Sequence, residues 1–493
     1  MALILSAALQ TLLSLELGGN GAVRLGVPLP AEVASMGLSA RPEGSALLQW
    51  RPLQRHPPDR AGRRWFEIVL IGPRGRVLVS LGGRRAESAL VRGEDRAEED
   101  GDRIRRAWVR YATGEEDRVE RRVFGRPVEI DGERYEAGEA LTDESEGISA
   151  RSTALASIPA AFWRRAGLLS APRRGLAALR ARLAKAALSL PELRSGRGEG
   201  DFARGDGEVA NLEYDTVLAF VRQFLRTRDP TMLERARRSA RHLVDRDLDP
   251  RSGLPFPHGP DHRSGRPAPG HCWLRGLLLL GCLTADDEWI GAARGLALSL
   301  AAHPPSAQGR DERARDFGWP LGEMEAFLSF EDQPAVSEAA DRLAAAIAGR
   351  YDGRIETFRF GEGEVEPGIY LERGWVTASV ILPAVRAHLC RRPDSPLREM
   401  ADRVEARLVH LWTRGGRGAP THWRIGAGRV LGVHRELSSS VPAMMLDGLS
   451  ARAIGRILGR TDLAGMLGGL CDPANPDLAT DFTRIARCEW IGG

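Results

Sequence analysis

From Leu13 to about Ala140 apolar residues fall at every second position. Leu13, Leu15 and Leu17 alternate with polar residues, as do the apolar members of Val23-Arg-Leu-Gly-Val-Pro-Leu29. Ile68-Val-Leu-Ile71, Val77-Leu-Val-Ser-Leu81, Ile104-Arg-Arg-Ala-Trp-Val-Arg-Tyr111 and Val119-Glu-Arg-Arg-Val-Phe124 continue the series, with Gly, Pro and Asp clusters between them. A period of two with charged residues on the other face predicts antiparallel strands, one face buried and one solvated. Residues 13–150 are therefore expected to form a β-domain, barrel or sandwich.

After about Ala150 the period lengthens to that of a helix. Segments near 173–190, 211–226, 231–246, 271–284, 286–301, 319–330, 335–349, 375–390, 396–412, 437–457 and 462–470 carry apolar residues at i, i+3, i+4 and i+7. Asp229-Pro230 and Ser395-Pro396 are helix-start signals. The helices come in pairs, one member apolar all round (Val217–Leu225, Leu274–Leu283, Val376–Val385), its partner with an Arg/Glu face (Glu234–Arg241, Arg398–Arg407). The apolar members start near Asn211, His271, Phe317, Gly374 and His434, at spacings of 60, 46, 57 and 60 residues. A repeated helical hairpin buries its faces against its neighbours. The expected architecture is α+β and multidomain: an N-terminal antiparallel β-domain, a linker with a first helix over 151–200, and an (α/α)6 toroid-like domain over 201–493. An open helical solenoid is the alternative.

Composition narrows the function classes. The chain of 493 residues has 70 Lys+Arg against 66 Asp+Glu, and its single lysine, Lys185, leaves 69 arginines. Arg alternates with Asp and Glu throughout instead of forming a patch, so no nucleic-acid partner is expected. Five cysteines without CxxC spacing give neither a disulfide framework nor a zinc ribbon. No apolar run reaches the roughly 18 residues of a membrane span. Residues 1–12 read as a possible signal remnant without a basic start, so both export and a cytoplasmic location stay open. There is no P-loop, GxGxxG, GxSxG or HExxH.

In a ring of hairpins the inner-helix N-termini surround one mouth, where their dipoles concentrate positive potential. Polar and aromatic residues recur at those points: Asn211-Leu-Glu-Tyr-Asp215, Gly270-His-Cys-Trp273, Phe317-Gly-Trp-Pro320, Tyr370-Leu-Glu-Arg-Gly-Trp375 and His434-Arg-Glu436. Trp rings stack on sugar faces while Glu, Asp, Arg and His give oriented hydrogen bonds, so a carbohydrate cleft fits this set. Each residue also has a structural use. Asn211 and Glu213 are good capping residues, Trp319 and Trp375 suit a core, and His242, His388 and His410 suit helix faces. His56 and His303 read as loop residues. His258 and His262, with His271 nine residues on, have metal-like spacing but lie in a Pro-containing loop without helical register, so no metal site is assigned. No cofactor is expected; a divalent cation such as calcium stays open, as does the oligomeric state.

Asn211-Leu-Glu-Tyr-Asp215, Phe224-Leu-Arg-Thr-Arg-Asp229, Ala240-Arg-His-Leu-Val-Asp245, Gly270-His-Cys-Trp-Leu-Arg-Gly276 and Leu283-Thr-Ala-Asp286, in that order, resemble the central region of exo-rhamnogalacturonan lyase-like (YetA-like) proteins. Gly26-Val-Pro-Leu-Pro30 is similar to that family's opening β-domain. The resemblance covers residues 13–300. It departs in the Ala/Arg-rich stretch 151–197, and in the further C-terminal β-domain that family members carry beyond the equivalent of Cys488-Glu-Trp490. It implies an (α/α)6 toroid and β-elimination at a uronate of a pectin-type polysaccharide or oligosaccharide.

That reaction needs a base at C5, an acid for the leaving oxygen and neutralisation of the C6 carboxylate. By position and chemistry His271 is the expected base or acid, with Tyr214 second. Arg373 or Arg435 would pair with the carboxylate, and Asn211 would hydrogen-bond it. Glu372, Glu213 and Asp215 would orient the sugar or assist proton transfer, while Trp273, Trp319, Trp375, His434 and Glu436 complete the binding set. A glycoside hydrolase using Asp215 and Glu372 as its carboxylate pair, or a non-catalytic glycan-binding protein, are the rival readings.

Overall fold

The structure is a computed structural model that describes residues 11–17, 21–30, 38–42, 47–53, 63–72, 75–81, 91–110, 116–130, 133–144, 154–166, 168–170, 176–193, 199–202, 214–256, 265–305, 314–360, 364–414, 419–427, 429–436, 439–459, 463–475, 477–488 and 491. Twelve strands over the described residues of 11–144 pair antiparallel throughout. β1 (Thr11–Leu17), β6 (Gly75–Leu81) and β3 (Leu38–Pro42) form one three-stranded sheet, and β2 (Gly21–Pro30), β5 (Arg63–Gly72) and β4 (Leu47–Pro52) another. β7 (Val91–Glu99), β8 (Asp102–Arg110), β9 (Glu116–Val123) and β12 (Ala140–Glu144) make a four-stranded sheet, with β10 (Val128–Ile130) and β11 (Glu133–Tyr135) a separate hairpin. Among the described residues these are separate sheets, not one closed barrel. β1 starts at Thr11, which pairs with Ser80, so Thr11 and Leu12 belong to the strand and not to the segment before it.

The helices follow: α1 (Ala160–Arg165), α2 (Ala177–Ser189), α3 (Thr216–Thr227), α4 (Pro230–His242), α5 (Arg275–Thr284), α6 (Asp287–Ala302), α7 (Ala314–Leu328) and α8 (Pro334–Ala348). A short turn Gly374–Val376 and a π-helical turn Thr377–Ile381 run on into α9 (Leu382–Arg391). Then come α10 (Leu397–Arg414), α11 (Val441–Asp447), α12 (Ala451–Leu458), α13 (Leu463–Leu470) and α14 (Leu478–Ala486). Two hairpin turns share one local design. Arg228 and Ala285, both left-handed with φ of 62° and 54°, end α3 and α5, and the next residue, Asp229 or Asp286, caps the returning helix through its carboxylate. A left-handed C-cap followed at once by an Asp N-cap makes a tight antiparallel turn.

Among the described residues α3, α5, α7, α9, α11 and α14 form the inner layer, each packed on the next (α11 on the π-helical turn that leads into α9), and α14 returns to α3. Phe220 meets Phe482 with ring centroids 5.3 Å apart, and Arg226 donates to the carbonyls of Ala486 and Cys488, so the ring is closed and is not an open solenoid. The closing helix, α14, falls outside every segment picked out by periodicity. Gly318 and Gly322 let α7 press against the next inner helix: a Cβ at Gly318 would come within 2.7 Å of Val380. The expected helix over 437–457 is two short helices broken at Gly448, where a Cβ would lie 2.0 Å from the Ala378 carbonyl oxygen.

The periodicity also misses a second sheet within the helical half. β15 (Glu364–Glu366), β16 (Ile369–Glu372), β17 (Ala419–Gly426) and β18 (Arg429–Glu436) form an antiparallel sheet leading into the ring at Gly374 and Val441. A further hairpin pairs β13 (Tyr351–Asp352) with β14 (Thr357–Phe358).

The β-strands lie against the flank of the helical ring. Residues 24–29 of β2 are buried, and a Cβ on Gly26 would sit 1.6 Å from the Cys282 carbonyl oxygen, so only glycine permits this approach. Buried Glu67 accepts from Arg92 at 2.5 and 2.6 Å, and Arg92 also pairs with Asp287 at the start of α6. A π-helical turn, Leu243–Asp247, closes α4 and splays three charged residues toward different partners. Asp245 accepts from Arg121 (2.9 Å) and Thr142 (2.8 Å), while Arg246 binds Glu139 and Glu133 and lies 3.8 Å over the Tyr135 ring. Asp247 faces His242, whose imidazole is also held by the Glu199 carbonyl (2.7 Å) and Asp201 (3.3 Å).

Candidate active site

Outer helices return the chain to one end, so the inner helices run parallel and their N-termini share one mouth. Tyr214, Asp215, His271, Trp273 and Trp319 come together there, from the starts of three consecutive inner helices. The Tyr214 and Trp273 rings stack at 6.4 Å, and Trp319 stands edge-on to Trp273 (4.8 Å), Tyr214 (6.0 Å) and His271 (5.7 Å). Guanidinium groups cover this box from α14: Arg484 lies 4.8 Å from the Tyr214 ring, and Arg487 lies 5.2 Å from Tyr214 and 5.6 Å from Trp273. Edge-on aromatic pairs and guanidinium–π contacts each add stability beyond area burial.

His271 ends the 3-10 turn Pro269–His271 and is half-buried. Its Nε2 lies 3.5 Å from Arg315, the second residue of α7. A guanidinium only donates, so toward Arg315 the ring nitrogen can act only as an acceptor. Neighbouring Cys272 is fully buried; burial, with Glu323 and Asp215 nearby, raises its thiol well above the usual range and keeps it protonated.

Asp215 has a different task. Its Oδ1 accepts from Leu218 N (2.8 Å), capping α3, and its Oδ2 accepts from Gly276 N (2.9 Å) in the first turn of α5. From the other side Glu323 of α7 accepts from Leu274 N and Arg275 N, both at 2.9 Å, and pairs with the Arg275 guanidinium at 3.2 Å. Two buried carboxylates on consecutive N–H groups thus fix the N-terminus of α5 from both neighbours. Burial first, and then the charge of Glu323, pushes the Asp215 carboxyl up to about 6. Replacing Asp215 by asparagine keeps an acceptor for one N–H and is expected to be mild. Alanine strands two buried donors and should cost about 2–4 kcal/mol in chemical denaturation.

The axis below the box is nearly filled. Asp215, Trp273, Arg275, Trp319, Glu323, Asp447 and Arg487 border a cavity of about 30 Å3, room for a water or two but not a sugar ring. Ligand must therefore meet this end of the ring at its mouth, not inside the channel.

The other expected residues are distributed as follows. Glu372 ends β16, buried, and accepts from Thr377 Oγ1 at 3.3 Å. Arg373 caps the next helical turn with its backbone and is exposed, while Trp375 is half-buried against the core and its carbonyl accepts from Ser379 (2.7 Å). All three lie at the start of the fourth inner helix. His434, Arg435 and Glu436 stand on strand β18 instead of at a helix start. His434 is exposed with its Nδ1 3.1 Å from Thr421 Oγ1, and Arg435 donates to the Leu411 carbonyl (2.7 Å), capping α10 from outside. Asn211, Glu213, His258 and His262 lie outside the described residues. Arg315, Glu323, Arg484 and Arg487 are the site residues that sequence reading missed. The available signal was the i, i+3 pair Arg484/Arg487 behind the apolar Leu478, Phe482 and Ile485.

No group of three or more His, Cys, Asp or Glu among the described residues is placed to hold a metal ion, and no helix among them is long and apolar enough to cross a membrane. No protein family model matches the chain, and no curated protein matches its sequence. Solved structures with a similar course of the chain include a cellobiose 2-epimerase from Bacillus thermoamylovorans B4167, at 10% identity and a TM-score of 0.43, covering 57% of this chain and 85% of that one. A family 76 glycoside hydrolase from a bovine Bacteroides thetaiotaomicron strain has 8% identity and a TM-score of 0.43, covering 97% and 95%. A polysaccharide lyase has 8% identity and a TM-score of 0.31, covering 86% and 76%. None of the three supplies a residue assignment for this chain.

Proposed function

We propose that the chain is a carbohydrate-active enzyme that cleaves a uronate-containing glycan of the pectin or rhamnogalacturonan type by β-elimination at the ring mouth. The observation that carries this reading is the placement of His271: an imidazole at the mouth, edge-on to Trp319 and beside the Arg315 guanidinium. In the reaction a base takes the proton from C5, whose electrons form the C4=C5 double bond as the C4–O4 bond breaks and the leaving oxygen gains a proton. In this scheme the C6 carboxylate draws the Arg315 guanidinium off His271 Nε2, whose freed lone pair is the base, and Tyr214 supplies the acid. Arg315, with exposed Arg373, neutralises the C6 carboxylate, which makes the C5 proton removable. The rival carboxylate-pair hydrolysis is less well supported, because both Asp215 oxygens already accept backbone N–H groups and Asp215 lies within the packed axis.

The test is incubation with polygalacturonate and rhamnogalacturonan while ultraviolet absorbance is followed, with mass spectrometry of the products. Elimination gives an absorbing, unsaturated end one water lighter than the hydrolysis product. Products at the hydrolytic mass would replace the lyase reading with a hydrolase, and unchanged polymer across both substrates would remove pectin-type glycans from it.

A further inference from the structure

On the flank of the ring, a cleft runs between the four-stranded sheet β7–β8–β9–β12 and outer helix α6. One part, about 310 Å3, is bordered by Arg24, Arg92, Glu94, Arg105, Trp108 and Asp286–Glu288. It continues through the shared residues Glu94, Arg105, Asp287 and Glu288 into a larger part of about 1130 Å3 along α6. Together these reach the size of sites that take small oligomeric ligands.

Three observations give the cleft its chemistry. Trp108 and Gly93 are directly opposed in the β7–β8 ladder, and a Cβ at Gly93 would fall 2.0 Å from Trp108 Cζ2, so the indole lies over the glycine backbone. Trp108 is nevertheless only half-buried and borders the cleft. Around it stand the planar polar groups of Glu94, Arg105 and Glu288. Glu94 takes hydrogen bonds from Arg105 (3.0 Å) and Arg96 (2.6 Å), which hold its carboxyl below the usual range and ionised. Two buried polar atoms on this border, Arg105 Nε and Glu288 Oε2, have no hydrogen-bond partner among the described residues, although Glu288 is about nine-tenths buried. An unsatisfied donor and an unsatisfied acceptor beside an aromatic ring are the features a sugar hydroxyl array satisfies. In the smaller part, where Trp108 stands, the charges nearly cancel, with Arg24, Arg92 and Arg105 against Glu94, Asp286, Asp287 and Glu288, which suits an uncharged sugar on the indole.

We propose that this cleft is a second, non-catalytic glycan-binding site for a neutral oligosaccharide, with Trp108 stacking on a pyranose face and Glu94, Arg105 and Glu288 hydrogen-bonding its hydroxyls. It does not depend on the chemistry assigned to the ring mouth. The test is binding of the full chain to an array of neutral and acidic oligosaccharides, followed by calorimetry with the neutral trisaccharides cellotriose and mannotriose. The expected result is binding to neutral members of the array, weakened at least tenfold in Trp108→Ala, largely kept in Trp108→Phe, and unchanged in His271→Ala. Melting curves of both Trp108 variants separate lost binding from lost folding. Absence of binding to every neutral oligosaccharide would overturn the proposal, as would binding indifferent to Trp108→Ala in a folded variant, or binding abolished by His271→Ala. Concentration-dependent self-association that disappears in Trp108→Ala, without sugar binding, would assign the cleft to a second copy of the chain instead.

Discussion

Replacing His271 by alanine is expected to slow turnover on a uronate polysaccharide by about 10²–10⁴ while the melting curve and glycan binding stay close to those of the parent. The ring is half-buried at the end of a short turn, edge-on to Trp319 and 3.5 Å from Arg315, so its removal is expected to open little core. Its position ahead of an inner helix, at the positive dipole end, favours the neutral imidazole that a base requires near pH 7. Glu372→Gln is the contrast. A hydrolase should lose its activity with Glu372→Gln and keep much of it without His271, whereas a lyase shows the reverse. Activity of His271→Ala that falls only in proportion to unfolded protein would make His271 structural and end the lyase assignment.

The largest stability effect is expected at His242. Its ring is buried between Asp201 and Asp247, with Nδ1 on the Glu199 carbonyl. Burial alone would push the imidazole down, but Asp247 and Asp201 outweigh it and hold the ring up at about 9. Removing it leaves two buried carboxylates facing each other, and His242→Ala should cost about 3–5 kcal/mol. The pH dependence follows from linkage. Folded His242 keeps its proton up to about pH 9, whereas the unfolded chain releases it near 6.5, the ordinary value for an imidazole. The stabilisation is therefore complete below pH 6.5 and declines as pH rises through 9, by on the order of 3 kcal/mol. Denaturant midpoints between pH 6 and 10 should show this decline in the parent and a flatter profile in His242→Gln. Equal slopes in the two would mean that His242 is neutral in the folded chain.

Much of the ring's construction follows from local pattern. The change from period two to period 3.6 marks where strands give way to helices, because each period is the repeat at which side chains return to one face. Helix starts at Asp229-Pro230 and the paired apolar and amphipathic helices are legible for the same reason. Where the pattern misleads, packing explains it. The segment 437–457 has helical periodicity, yet the chain leaves one helix at Gly448, where only glycine lets the Ala378 carbonyl approach, and starts another at the Ser450 cap. α14 is short and its apolar positions few, and it becomes an inner helix because Phe482 meets Phe220 across 262 residues of sequence.

Site residues divide along the same line. Hairpin spacing brings alternate helix starts to one mouth, which is why Tyr214, Asp215, His271, Trp273 and Trp319 are expected to meet from sequence alone. What each does there depends on neighbours that no local pattern specifies. A carboxylate at a helix start suits capping and proton transfer equally well. Asp215 is a cap because α5 arrives with its Gly276 N–H, and the Glu323 carboxylate caps the same helix from the next one. Arg435 and Arg487 have the same side chain. One meets the end of α10 and closes its carbonyls, and the other meets two aromatic rings beside the axis. Local sequence sets which groups are available, and the neighbours that the fold brings within about 3 Å set which of them are left for chemistry.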